Sequence, residues 1–211
     1  YSERVVIAKS ITMLGVSQTF EKPTLEGQGD NNIITIYGSP NVIIDNLTFQ
    51  NGDGDVIGGG AIYSEQANLE IYNSLFQYNS VSGDGKGSAI YSTGAVTKIS
   101  ESIFKNNISL DGDGGAIFIA SGEVDSSEFQ NNTSGNKGGA IATSSNGMVT
   151  IERSLFIGNQ AANIGGGIYI GANALVVNNT IVNSSSNSDP VIASAIGASV
   201  DVINTIAWGN D

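Results

Sequence analysis

Two short motifs that alternate and return about every 27 residues constrain this chain more than any other feature. The first is Gly-Gly-Ala-Ile plus an aromatic residue, best seen at Gly114-Gly115-Ala116-Ile117-Phe118, with copies at Gly59–Tyr63, Gly87–Tyr91, Gly138–Ala142 and Gly165–Tyr169. The second is FxxN, seen at Phe76/Asn79, Phe104/Asn107, Phe129/Asn132 and Phe156/Asn159. Aligned on the Ile, the first series runs Ile36, Ile62, Ile90, Ile117, Ile141, Ile168 and Ile196, with steps of 26, 28, 27, 24, 27 and 28. Aligned on the Phe, the second runs Phe49, Phe76, Phe104, Phe129, Phe156, Val182 and Ala207. Five residues before each of these stands Ile44, Ile71, Ile99, Val124, Ile151, Val177 or Val202. Two earlier come Val42, Leu69, Thr97, Gly122, Val149, Leu175 and Val200.

Each repeat holds three short alternating apolar runs parted by turns of Gly, Asn and Ser, and no stretch keeps helical periodicity for three turns. One repeat cannot bury its apolar face alone, so successive copies must stack. The expected fold is all-β: a right-handed, single-stranded parallel β-helix (β-solenoid) of about eight coils, roughly 27 residues each, three strands per coil. At about 4.8 Å per coil the rod would be roughly 38 Å long. Residues 1–211 read as one domain, with 1–35 an N-terminal coil and 36–211 the repeats. Nonapeptide calcium rolls are excluded, because they need a nine-residue period.

Composition narrows the function classes. A net charge of −12, from eight basic and twenty acidic residues, repels phosphate backbones and argues against nucleic acid. With no Cys there is neither a disulfide framework nor thiol chemistry, and with no His the usual general base is missing. No apolar run reaches the roughly 20 residues of a membrane helix. The chain opens at Tyr1 rather than Met, which points to an upstream segment and to a secreted, processed protein.

The paired motifs resemble the GGA[ILV]/FxxN repeat of polymorphic outer-membrane proteins, within the wider pectin-lyase-like superfamily of β-helices. The resemblance spans residues 1 to 211 and implies the fold. It also implies company among adhesins, autotransporter passengers and other surface proteins. Val182 and Ala207 in place of Phe, and Gly167 in place of Ala, depart from the pattern.

Strand alternation assigns the candidate sites. With Ile62 and its equivalents inward, Tyr37, Tyr63, Tyr91, Phe118 and Tyr169 face outward as an aromatic stripe. Such a stripe could stack sugar rings, dock a protein, or simply brace itself as a ladder worth about 0.2–1 kcal/mol per pair. The loops entering GGAI carry Asp53, Asp55, Asp84, Asp111 and Asp113, oxygen donors that would suit Ca²⁺ or remain solvated turns. No cofactor is required. The FxxN asparagines, continued by Asn210, read as turn residues able to hydrogen-bond up a ladder. Sequons fall at Asn46, Asn107, Asn131, Asn132, Asn178 and Asn183. Glu70, Lys98 and Glu123 form an expected charge ladder, with Asp125 and Glu152 a like-charged pair beside it. Glycosidase chemistry needs two carboxyl groups about 5–10 Å apart in a cleft, and no cleft is legible, so the chain reads as non-catalytic.

Neither end carries a legible cap, and Tyr1, Val5 and Ile7 at one end and Ile206 and Trp208 at the other are the expected end-to-end contacts. The sequence therefore reads as an extracellular or cell-surface structural solenoid: a filament subunit stacking head to tail, or an adhesin or passenger-type scaffold. Its partners are other copies or other surface proteins. The alternative is a module that binds or degrades polysaccharide.

Overall fold

In the computed structural model, residues 4–17, 21–29, 31–188 and 190–210 are described. Every regular element among them is a β-strand, and every strand pair is parallel, with partners one coil apart. No helix is long and apolar enough to cross a membrane among these residues. The strands form three sheets of fourteen, eight and six strands. The eight-stranded sheet carries the Phe motif, and its stack from Thr24–Glu26 to Ile206–Trp208 makes about seven full turns. The fourteen-stranded sheet holds two rows, the GGAI strands and the strands that follow them. Ile90–Ser100 and Ile117–Asp125 run through both rows without a break. The six-stranded sheet is made of two-residue strands such as Ser80–Val81 and Ile108–Ser109.

The core is a set of columns. Phe49, Phe76, Phe104, Phe129 and Phe156 are fully buried and stack face to face at 4.8 to 4.9 Å between centroids. This is the coil repeat itself, so each ring meets the next without a change of rotamer. Beside them lie the columns of Ile62, Ile90 and Ile117, and of Ile44, Ile71 and Ile99. Gly122 sits in a core column opposite Thr97, at φ +136, and a Cβ there would lie 1.8 Å from the Thr97 carbonyl oxygen. Only Gly lets the two coils close at this level.

The observed register corrects the aligned series at three places. Ile34, not Ile36, pairs with Ile62. Both Ile34 and Ile36 are fully buried, because a two-residue slip keeps the same face, and apolar pattern alone cannot separate them. In the sixth copy Ile181 replaces Phe, Val176 lies five residues before it, and Ala174 two before that. Val182, Val177 and Leu175 fall on the outer face instead, since a one-residue slip reverses every side chain. Ile168 pairs with Ile192, while Ile196 lies in the following turn and is wholly exposed.

The corners explain the abundance of Asn. Left-handed backbone recurs three residues before the Phe position (Asn46, Asn73, Asn178, Asn204) and two after it (Asn51, Asn106, Asn131, Asn183). Asn adopts this conformation at lower cost than other side chains. The FxxN asparagine itself is the next residue along, and it is not left-handed. It points inward, fully or almost fully buried.

Candidate functional site

The inward Asn forms a ladder. Asn107 Oδ1 accepts from the Asn79 backbone N–H (3.1 Å) and from Asn79 Nδ2 (2.9 Å). Asn107 Nδ2 donates to the Phe76 carbonyl (3.1 Å) and to Asn132 Oδ1 (2.9 Å). Asn132 repeats the pattern towards Asn159, and Asn210 ends it by accepting from Ser184 N–H. Each side-chain nitrogen and oxygen of these buried amides has a partner, as buried polar groups require. A second ladder lies two residues before each Phe. The backbone N–H of Ser74 donates to Ser102 Oγ, that of Ser102 to Ser127 Oγ, and that of Ser127 to Ser154 Oγ. The signal for this ladder was a Ser at the same offset in all four FxxN copies.

The aromatic stripe is shorter and more buried than alternation suggests. Tyr63, Tyr91 and Phe118 stack at 5.4 and 5.6 Å, with interplanar angles of 4° and 8°. Tyr63 and Phe118 are only 8% and 7% exposed, and Tyr91 carries a ring on both faces. The stripe thus braces itself. Tyr37 does not belong to it, since Thr35 occupies the level of Tyr63 and Tyr37 lies two residues further on, exposed, accepting from Arg4. Ala142 separates Phe118 from Tyr169. Two lysines cover the rings: Lys86 Nζ lies 4.8 Å from the Phe118 centroid and Lys137 Nζ 4.7 Å from that of Tyr169. Burial, then a hydrogen bond to Glu65, pushes the Tyr63 phenol well above its ordinary range.

Tyr91 and Phe118 line a groove of about 740 Å³. Val56, Ile57 and Asp84 stand on one side, and Ser144, Ser145 and Asn146 on the other. The walls come from loops whose sequences differ from coil to coil, so no repeat marks them.

The five loop aspartates gather into no group of three among the described residues. Asp53 accepts from Ser80 Oγ, Asp55 accepts from the Ile57 N–H, and Asp113 accepts from Asn136 Nδ2 and pairs with Lys86 at 3.5 Å. Asp84 and Asp111 are exposed. Among the described residues, one group of three or more carboxylates has ligand atoms within 4.8 Å of one another, and it is Glu123, Asp125 and Glu152 on the following strands. Asp125 and Glu152 are level, and Arg153 spans them at 2.8 and 2.7 Å. The guanidinium supplies the positive charge this cluster needs. Glu70, Lys98 and Glu123 share one register level, and Tyr72 Oη donates to Glu70 at 2.6 Å. That bond, with partial burial, pushes the Tyr72 phenol up to about 12.

The expected end contacts divide. Tyr1 lies outside the described residues. Val5 and Ile7 face the core, level with Ile34 and Ile36. Ile206 and Trp208, 64% and 74% exposed, flank the inward Ala207 and so project sideways, in the outer columns of Thr180 and Val182. The inward residues whose strands have a described partner on one side only are Val5, Met13 and Leu25 at one end, lining a cavity of about 500 Å³, and Val202 at the other. Val202 is 51% exposed, whereas Val176 one coil below is fully buried.

The Chlamydia polymorphic membrane protein (Chlamydia_PMP) repeat matches residues 101–120, 126–144 and 153–171. Each matched segment runs from the ladder Ser through the Phe and Asn to GGAI or its equivalent, and leaves out the column of Ile99, Val124 and Ile151. The probable autotransporter YfaL of Escherichia coli (strain K12) is 41% identical over 88 residues, a match that takes in 37% of this chain and 7% of that protein. The chain thus spans a small fraction of that relative's length. No solved structure matches. Three segments of this chain are thus similar to the polymorphic membrane protein repeat, and the chain that carries them is built as a parallel β-solenoid.

Proposed function

We propose that this chain is a surface-displayed, passenger-like scaffold whose outer side chains meet other proteins while its interior only builds the rod. One contrast carries this reading. The inward column Ile44, Ile71, Ile99, Val124, Ile151, Val176 stays aliphatic, while the outward column beside it reads Ile43, Glu70, Lys98, Glu123, Thr150, Leu175. The repeated chemistry is spent inside, and the outside is free to vary. The name of YfaL, a probable autotransporter, and the polymorphic membrane protein repeat support display at the cell surface. Labelling of intact producer cells with an antibody against the chain tests it. Staining without permeabilisation is expected, and staining only after permeabilisation would overturn it.

The partner we favour is protein, not polysaccharide, because Tyr91 has no free ring face for a sugar. The acidic cluster, closed by Arg153, supports a non-catalytic role. Head-to-tail stacking is the finer reading: Val202 and the Val5–Met13–Leu25 surface belong to coils that can each accept a further parallel coil. Light scattering over a range of concentrations should show growing assemblies, and a monomer at every concentration would end that part of the reading.

A further inference from the structure

The chain has two Asn-Gly pairs, Asn51-Gly52 and Asn146-Gly147, the sequence most open to deamidation because Gly puts no Cβ in the way of ring closure. The fold treats them oppositely. The N–H of Gly52 is buried and donates to Asn79 Oδ1 at 2.9 Å, inside the Asn ladder, and Asn51 Nδ2 donates to Glu26 at 2.5 Å. Both partners in the reaction are held. Asn146 and Gly147 are exposed, on the loop between Ile141–Thr143 and Met148–Glu152. The Gly147 N–H makes no hydrogen bond among the described residues. Ser144 Oγ donates to the Asn146 carbonyl at 2.8 Å and accepts from the Asn146 N–H at 3.2 Å. The first of these bonds draws electron density from the peptide joining Asn146 to Gly147, which acidifies the Gly147 N–H. The Asn–Ser corners are protected like Asn51: the N–H groups of Ser74 and Ser184 donate into the buried ladders.

We propose that Asn146 is a self-modification site that slowly adds negative charge to the rim of the groove above Tyr91 and Phe118. The deprotonated Gly147 nitrogen attacks Asn146 Cγ, the Cγ–Nδ2 bond breaks, and the nitrogen leaves as ammonia, closing a succinimide. Water then adds to either ring carbonyl and opens the ring to an aspartyl or isoaspartyl linkage. No oxidation state changes, and water is the sole co-reactant. The inference does not rest on the scaffold reading, since the reaction needs only the loop.

Peptide mapping of the folded chain after incubation in mildly alkaline buffer, with isoaspartyl detection by methyltransferase labelling, tests the proposal. Position 146 should convert at least about tenfold faster than position 51, the factor that about 1.4 kcal/mol of restraint supplies. In urea the two positions should converge. Ser144→Ala should slow conversion at 146 several-fold in the folded chain and leave the rate in urea unchanged. Asn146→Gln should abolish the signal at that position. Equal rates at 51 and 146 in the folded chain, or an unmodified Asn146, would overturn the proposal. An unchanged folded-state rate in Ser144→Ala would overturn the role given to Ser144.

Discussion

Replacing Asn107 with Ala removes four hydrogen bonds from the middle of the inner ladder. Two of the orphaned groups are donors, the backbone N–H and one amide hydrogen of Asn79, and Asn79 is 1% exposed. A buried donor left without a partner costs about 1–3 kcal/mol, so the pair predicts about 2–6 kcal/mol. The hole is polar and amide-sized, and a water entering it would meet both donors, which favours the lower half of that range. Coils stack in one dimension, so the loss should appear locally as well as globally. Urea unfolding with the m-value checked, together with hydrogen exchange of the Asn79 and Asn107 amides, measures both. Asn210→Ala is the internal control: its amide is only half-buried, and its loss should cost clearly less. A loss at Asn107 below about 1 kcal/mol, within the range of one ordinary hydrogen bond, would refute the claim that the ladder is an obligatory inner frame.

Phe104→Ala removes ring contacts at 4.8 and 4.9 Å from both sides of a fully buried column and should cost about 3–5 kcal/mol in the same urea experiment. Deleting residues 77–104 joins Phe76 to Lys105, which takes the place of its own register partner Gln77. The shortened chain should fold with an unchanged circular dichroism signal per residue, whereas deletion of half that length should not. Alkaline titration followed by tyrosinate absorbance should show Tyr72 ionising late, near 12. A phenol raised by folding keeps its full contribution to stability below its unfolded value near 10 and loses it as pH climbs towards 12, so stability should fall across that window and less so in Tyr72→Phe.

The fold was legible because its repeat is one of inward chemistry. Ile71, Phe76 and Asn79 keep fixed offsets, and those offsets set where strands and corners lie. Register was legible only where a slip changes the face. Ile34 and Ile36 are both apolar and both inward, so the choice between them falls to backbone hydrogen bonds that no pattern records. At the sixth coil, Ile181-Val182 and Val176-Val177 are pairs of neighbouring apolar residues, and alternation cannot choose within them. The candidate site was read less well for a related reason. Alternation says that Tyr91 points outward, but its exposure depends on the neighbouring coils' rings and on loops with no repeat. Likewise the Asp-Gly loops share a composition without sharing a geometry, whereas Asp125 and Glu152 lie on strands and meet because strands fix their level.

That distinction also says where variation can accumulate. A substitution in an inner column is felt by the coils on both sides, because Asn107 or Phe104 has a partner above and below. A substitution at Lys98 or Thr150 changes one outer level and leaves the ladders intact. The loops are freer still: the GGAI isoleucines are 24 residues apart between Ile117 and Ile141 and 28 apart between Ile62 and Ile90, and the difference is absorbed in the turns before GGAI and in a register shift between Ser92 and Val96, while the pairing on either side is kept. A rod built this way can change its surface coil by coil without renegotiating its core. If the chain is the scaffold proposed above, its recognition belongs to a patch spanning several levels, such as the groove between Val56 and Asn146, and not to any single copy of the repeat.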